Sequence, residues 1–518
     1  MPNKTKLNLN ILFITADQWR GECLSRLGHP HVKTPALDAL AADGVTFRRH
    51  FAQAVPCGPA RACLYTGMYM QNHRSVLNGT PLDARHTNVA AEARKAGYEP
   101  ALFGYTDISL DPRHHKIENG YGGVLPGMDP VCYVDSYSGS WLPRLKEKGY
   151  DTLNDPSLMF VPKKNYPGAE KKGKTFAPAV YAEEDSNAAI LVDAAIDYLS
   201  ARGGSPWFAH LSFISPHPPF IAPEPYHNMY DANDMPLPVR RATAEEEAAQ
   251  HPWLEHYLYN QSATEYTFGA APRDNLTLPD MELRQIKATY YGMMSEVDAQ
   301  IGRLVHYLKQ AGAYDNTLII FTSDHGDNLG DHWALSKFTH FDQSFHIPLI
   351  VHDPSPAARQ SDGTVVKAFT ESIDIMPTIL DGIGVEIPVQ CDGYSLLPFC
   401  QGEPPQDWRQ EYHAEFDLRS PYDGEGKPPL GLKMHQCMAN VIRGERYKYV
   451  HFPTLPPLFF DLKKDPDEFQ NLASEPAYQG KILEYTGKLL SWRMEHDDPA
   501  LTDVHLTRQG SRHGMRSE

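Results

Sequence analysis

The chain of 518 residues has no apolar run long enough to cross a bilayer, which excludes a membrane-spanning helix. Its start, Met1 to Asn10, is polar and has no apolar centre of the kind a secretory signal carries, so a cytoplasmic home is expected. Cysteine is sparse and unpaired. The seven, at 23, 57, 63, 132, 391, 400 and 437, form no Cys-x-x-Cys and no disulfide framework, which fits a reducing compartment. Basic residues are in deficit: 48 Lys and Arg against 65 Asp and Glu, a net charge of −17. That balance argues against nucleic acid or an anionic membrane as a partner. If the ligand is itself an anion, the positive charge must be concentrated locally. With 41% hydrophobic and 22% charged residues the composition is that of a soluble globular protein, and its length suggests about two to four domains.

Several segments read as buried strands that end in polar groups. Asn10 to Gln18 is apolar at its centre and ends in Asp17 and Gln18; Asn316 to Gly326 ends in Asp324-His-Gly. Gly97 to Asp107 and Pro206 to Pro219 repeat the pattern, ending near Tyr105 and Asp107, and at His217. In open α/β sheets ligands bind beyond the carboxyl ends of the strands. Alone, Asp17 and Gln18 would read as a turn with a capping Asp. Paired with Asp324 and His325 they make a donor set for a divalent cation. Asp327, Asp331 and His332 could be offered to a second ion, but are read as loop residues. His217 lies between two prolines, which hold it rigidly; read alone it is equally a loop histidine.

The stretch from Val55 to Gly67 reads as a cysteine at the mouth of a helix. Gly58 permits a tight turn, Pro59 suits the first helical position, and Arg61 places a fixed charge one turn from Cys57. Helix-start amides and a guanidinium together would receive a tetrahedral oxyanion. Residues 110–190 and 221–279 show little periodicity and read as excursions over the site mouth, with Glu245 to Glu247 as a solvated acidic face. From Met281 a helix carries one apolar stripe through Ile286, Tyr290, Met294, Val297, Ile301, Leu304 and Leu308, assigned to core packing.

Cys57-x-Pro-x-Arg61 followed by Thr66-Gly67 resembles the signature of type I sulfatases and phosphonate monoester hydrolases, in the alkaline phosphatase superfamily. Ser372-Ile-Asp-Ile-Met-Pro377 and Asp465-Pro-Asp-Glu-Phe-Gln-Asn-Leu472 resemble later parts of the same family. The resemblance implies an α/β fold: a large mixed sheet flanked by helices over residues 1–395, and a small C-terminal α+β subdomain with a tail over 396–518. It implies that Cys57 is oxidised to formylglycine (3-oxoalanine) by dedicated machinery. Asp17, Gln18, Asp324, His325 and an oxygen of the aldehyde hydrate at position 57 would hold one divalent cation, Mn²⁺ or Ca²⁺ first, with Mg²⁺ or Zn²⁺ compatible. Asn78 would stand by the substrate oxygens, His217 and Lys337 by the leaving oxygen.

Many sulfatases carry Gly-Lys-x-His where this chain has Gly104-Tyr-Thr-Asp107. Tyr105 in place of the lysine resembles the bacterial phosphonate monoester hydrolase branch, where Tyr-x-Thr is expected; Asp107 departs from both branches. A carboxylate there would repel an anionic ester unless it is protonated, paired or turned away. The resemblance thus implies a hydrolase of small monoanionic esters, phosphonate monoesters and phosphodiesters first, with sulfate monoesters also accepted. An arylsulfatase, and a non-catalytic metal-binding homologue with an unmodified Cys57, are the alternatives. The branch it resembles implies a homo-oligomer, a dimer or tetramer.

Overall fold

The computed structural model describes residues 9–116, 123–135, 139–150, 156–261, 266, 275–419, 427–499, 504–508 and 510–513. Most of Met1 to Asn10, parts of both excursions and much of the tail from Ala500 lie outside them. Among the described residues no helix is long and apolar enough to cross a membrane, and all seven cysteines are buried and free.

Among the described residues a nine-stranded mixed sheet forms the centre. Five of its strands are parallel and adjacent, in the order Thr317–Thr322, Asn10–Ala16, Phe208–Phe213, Pro100–Gly104 and Asp129–Tyr133. Leu349–His352 joins antiparallel beside Thr317–Thr322 and leads to Val45–Phe51. The Asn10–Ala16 strand is buried along its whole length, as a strand covered on both faces must be. Registry matters more than order for the site. Thr15 lies opposite Thr322, Ala16 opposite Phe213, and Gly104 opposite Ser212. The four strands therefore end level, and the polar residues that follow each of them emerge together.

Helices cover both faces. The longest, Asp280–Gln310, buries all seven members of the expected stripe, but also Lys287, Glu296 and Asp298. Its buried surface is thus wider than one stripe, because it packs between the helices Pro35–Ala42 and Asn187–Ser200. Asp298 accepts the backbone N–H groups of Ala36 and Leu37 at 3.0 and 2.8 Å, so a buried carboxylate satisfies a helix start.

The C-terminal part forms a second sheet, in the order Leu458–Asp461, Tyr447–His451, Met438–Arg443, Tyr412–Asp417 and Ala54–Val55. Its last strand is borrowed from the N-terminal part: Ala54 and Val55 pair with Glu415 and Phe416, two residues ahead of Cys57. The helix Gln479–Glu495 packs on this sheet. The two parts are also joined by charge. Lys448 is fully buried and donates to Glu468 at 2.9 Å and Asp342 at 3.0 Å. Removing one partner of such a cluster strands the others, at a cost of about 3–5 kcal/mol. Lys448→Met should therefore lower the apparent melting temperature markedly, and Lys448→Met with Glu468→Gln should lower it less. Equal melting temperatures for the parent and Lys448→Met would refute this account of the joint.

Candidate functional site

The helix headed by Cys57 runs Cys57–Thr66 and every residue in it is buried. Cys57 is its first residue, so Pro59 stands third rather than first. The position tolerates proline because first-turn amides have no partner inside the helix. Gly67, with φ +68°, ends the helix by donating its N–H to Cys63 O at 2.9 Å. Asn78 caps the other end: its Oδ1 accepts the Gly58 N–H at 2.8 Å.

Arg61 is placed otherwise than as an open anion receptor. Its guanidinium has no exposure and is committed to protein groups. Nε donates to Asp324 Oδ2 at 2.9 Å, one terminal nitrogen to Asp17 Oδ2 at 3.1 Å, and the other to Ser212 Oγ at 2.8 Å. Its carbon lies 4.4 Å from the centre of the Tyr105 ring. It faces the carboxylates that follow two strand ends, and together with Ser212 and the Tyr105 hydroxyl they occupy all three of its nitrogens.

Asp17 offers Oδ2 to Arg61 and to the Tyr105 hydroxyl. That leaves Oδ1, 4.0 Å from Cys57 Sγ and 3.8 Å from His325 Nε2. Asp324 accepts the backbone N–H groups of Gln18 at 3.1 Å and His325 at 2.9 Å. His325 Nδ1 is 3.0 Å from Gly326 O. That contact puts the proton on Nδ1 and a lone pair on Nε2, which is 3.2 Å from Cys57 Sγ. Among the described residues, donor atoms of Asp17, Cys57, Asp324 and His325 lie within 4.8 Å of one another. Gln18 Oε1 joins them through Lys337, whose Nζ is 2.6 Å from that oxygen and 3.2 Å from Cys57 Sγ.

The electrostatics suit a cation. Burial, and then the charge of Asp324, push the Asp17 carboxyl above its ordinary range. Burial acts upward on Asp324 too, but His325, Arg61 and Lys337 outweigh it and hold that carboxyl low. Two like charges this close cannot both ionise at ease without a counter-ion. Burial lowers His325 to about 4, so its imidazole is neutral and able to ligate. Burial, then Asp17, pushes the Cys57 thiol up, leaving a protonated sulfur at neutral pH. The site's hard oxygens and neutral imidazole fit a divalent cation such as Mn²⁺.

Around this centre stand the remaining expected residues. Gly104 has φ +109°, and a Cβ there would lie 2.0 Å from Ser212 O. Only glycine lets the two strands close and brings Tyr105 onto Asp17. Asp107 is half-buried, and burial pushes its carboxyl up to about 7. His217 is half-buried between Ser215–Pro216 and Pro218–Pro219. Its Nδ1 is 2.5 Å from Pro218 O, and burial, then Lys337, lower it to about 3.

The second-ion candidates have protein partners instead. Asp331 binds Arg20 at 2.9 Å, and His332 stacks on Phe341 while its Nδ1 lies 2.5 Å from Glu247 Oε1. The expected solvated face at Glu245 to Glu247 holds for the exposed Glu245 and Glu246 and is corrected for Glu247, which has no exposure because it turns inward to His332. Asp327 is buried against Gln18 and Tyr266. Ser212 and Tyr266 carry no site signal in the sequence, and Asp327 enters only as a candidate for a second ion, read as a loop residue. Asp327 alone left a trace, three residues beyond Asp324.

Comparison with known proteins agrees with this geometry. A family model described as Sulfatase matches residues 9–385, and one described as N-sulphoglucosamine sulphohydrolase, C-terminal, matches 330–495. The chain is 42% identical to the multifunctional alkaline phosphatase superfamily protein PehA of Trinickia caryophylli, covering 97% of this chain and 98% of that one. It is 28% identical to an arylsulfatase of Clostridium perfringens over 97% of each. The solved phosphonate monoester hydrolase of Agrobacterium radiobacter superposes with a TM-score of 0.92 at 43% identity, covering 98% of this chain and 99% of that one. That of Silicibacter pomeroyi gives 0.91 at 39%, covering 98% and 100%. The family model spans well over half of the chain, and a buried Asp17, Asp324 and His325 group meets Cys57 at the head of its helix: the chain belongs to the sulfatase family of the alkaline phosphatase superfamily, and is an ester hydrolase.

Proposed function

We propose that the chain hydrolyses monoanionic esters, phosphonate monoesters and phosphodiesters first and sulfate monoesters second, using formylglycine at position 57 and one divalent cation. The family implies both groups, and the donor set suits them. Asp17, Gln18, Asp324 and His325 would hold the cation. It supplies Lewis acidity that lowers the pKa of a hydroxyl, as it does for bound water. The protonated thiol is a poor substitute, which supports an oxygen nucleophile at this residue.

The observation that carries the substrate class is the Tyr105 hydroxyl on Asp17 Oδ2. A lysine in that place would add a third positive side chain beside Arg61 and Lys337. With tyrosine, those two are balanced by Asp17 and Asp324, and the cation alone supplies the surplus. A singly charged ester suits that smaller surplus. Lys337, 3.2 Å from Cys57 Sγ, can place its ammonium on the departing oxygen. His217, kept neutral with its Nδ1–H on Pro218 O, has its lone pair on Nε2 and can accept a hydrogen bond there. Asn78, its Oδ1 spent on Gly58, keeps its amide N–H groups for substrate oxygens.

Three outcomes test this reading. Position 57, in peptides from active protein, should have the mass of an aldehyde or its hydrate, and kcat/KM for p-nitrophenyl phenylphosphonate should exceed that for p-nitrophenyl sulfate. The reverse ratio would make the protein an arylsulfatase, and a free thiol in active protein would remove the mechanism. Lys337→Ala should lower kcat by about 10²–10³, more for alkyl than for nitrophenyl leaving groups; equal losses would take Lys337 off the leaving oxygen.

The third outcome concerns pH. Asp107 is uncharged below about 7 and charged above it, where it repels an anionic ester. Asp107→Asn should therefore raise kcat/KM above that pH more than below it. The folded chain also holds this proton to a higher pH than the unfolded chain does. Stability from this group is thus present at low pH and lost as pH rises through about 7. The variant should flatten that loss in a melting series; identical pH profiles would separate Asp107 from both effects.

A further inference from the structure

Gln18 differs from the other cation donors in that its two side-chain heteroatoms are opposites. Its oxygen can hold a cation, and its amide nitrogen cannot. Which end faces Cys57 decides whether it is a ligand at all. Nε2 lies against Asp327 Oδ2, while Oε1 takes a hydrogen bond from Lys337 Nζ at 2.6 Å. A carboxylate only accepts, so Asp327 fixes the amide with its oxygen toward the cation site.

Asp327 is fixed in its turn. The Leu329 N–H donates to its Oδ1 at 2.7 Å, and the Tyr266 hydroxyl donates to the same oxygen at 2.8 Å. The one Tyr266 oxygen also accepts the backbone N–H of Ser336. Ser336 precedes Lys337, so the chain of hydrogen bonds closes on itself: Lys337, Gln18, Asp327, Tyr266, Ser336, and one peptide bond back. Gln18 and Asp327 have no exposure, nor does Tyr266, and Ser336 and Lys337 stand at 6% and 1%. Gln18 and Ser336 also hold left-handed backbone, at φ +66° and +60°. Such conformations persist in non-glycine residues only where the surroundings over-determine them.

We propose that Asp327 and Tyr266 are positioning residues for the site. They are two buried side chains outside the donor set, and they fix the orientation of a cation ligand and the place of the Lys337 ammonium at once. Neither touches the reacting atoms. The inference rests on the functional reading above for the identity of the cation site, and deepens it by saying what orients that site.

The test titrates the metal-stripped full-length protein with Mn²⁺ by calorimetry, and measures kcat and KM for p-nitrophenyl phenylphosphonate alongside. Outer-shell partners of ligands typically carry about 10–100-fold in metal affinity. Tyr266→Phe should weaken Mn²⁺ binding by about tenfold or more and lower kcat more than it changes KM. Asp327→Asn should weaken binding further, because an asparagine amide can turn Gln18 around. Adding Gln18→Glu to Asp327→Asn should recover most of that loss, since a carboxylate presents an oxygen to both sides. Tyr257→Phe removes a hydroxyl bound to Leu335 O in the same loop and should leave Mn²⁺ affinity near that of the parent.

Parent-like Mn²⁺ affinity in Tyr266→Phe and Asp327→Asn would overturn the proposal. So would an equal loss in Tyr257→Phe, or no recovery in the Gln18→Glu pair. Mn²⁺ affinity is read apart from turnover. A parent that binds Mn²⁺ but hydrolyses neither ester would sink the functional reading alone.

Discussion

The Arg61 guanidinium bridges Asp17 and Asp324, which lie 307 positions apart in the chain, and the rest of the site is arranged around that bridge. Each carboxylate follows the end of its own parallel strand, and the two strands are neighbours with Thr15 opposite Thr322. Arg61 rises from the helix headed by Cys57 and reaches both with no solvent between them. Alone, either buried carboxylate would be costly, and a buried arginine equally so. Together they are mutually satisfied on one side, which leaves Asp17 Oδ1 and His325 Nε2 turned toward Cys57. A cation there would complete the balance that the bridge leaves open.

Charge economy explains the choice of the other donors. With the Asp327 carboxylate behind it, a carboxylate at position 18 would add repulsion that an uncharged amide avoids. The amide then needs something to hold its direction, and Asp327 stands behind it. Tyr105 follows the same logic, since a phenol donates to Asp17 without bringing a positive charge. These economies matter in a protein of net charge −17, where local positive potential has to be built group by group.

The small C-terminal sheet does more than close the fold. Its edge pairs with Ala54 and Val55 and so aims the turn into Cys57. Lys448 ties it to Asp342, just past the loop that carries Lys337. The Glu468 of the Asp465-Pro-Asp-Glu motif completes that tie. A motif that looks peripheral in the sequence therefore supports the loop beside Cys57.

Continuous apolar runs, ending near Asp17 and Asp324, were enough to place buried strands and a ligand site at their carboxyl ends. The cysteine motif was enough to head a helix with Cys57. Local chemistry carries such signals because strand burial and helix starts are set by neighbours in the chain. Three things needed the tertiary structure. Arg61 turned inward, because its acceptors come from remote strands that no spacing reveals. Glu247 left the surface for His332, a partner 85 residues on. Tyr266 and Asp327 became a pair only in the folded chain, 61 residues apart, and a hydrogen bond between distant side chains leaves no periodicity to read.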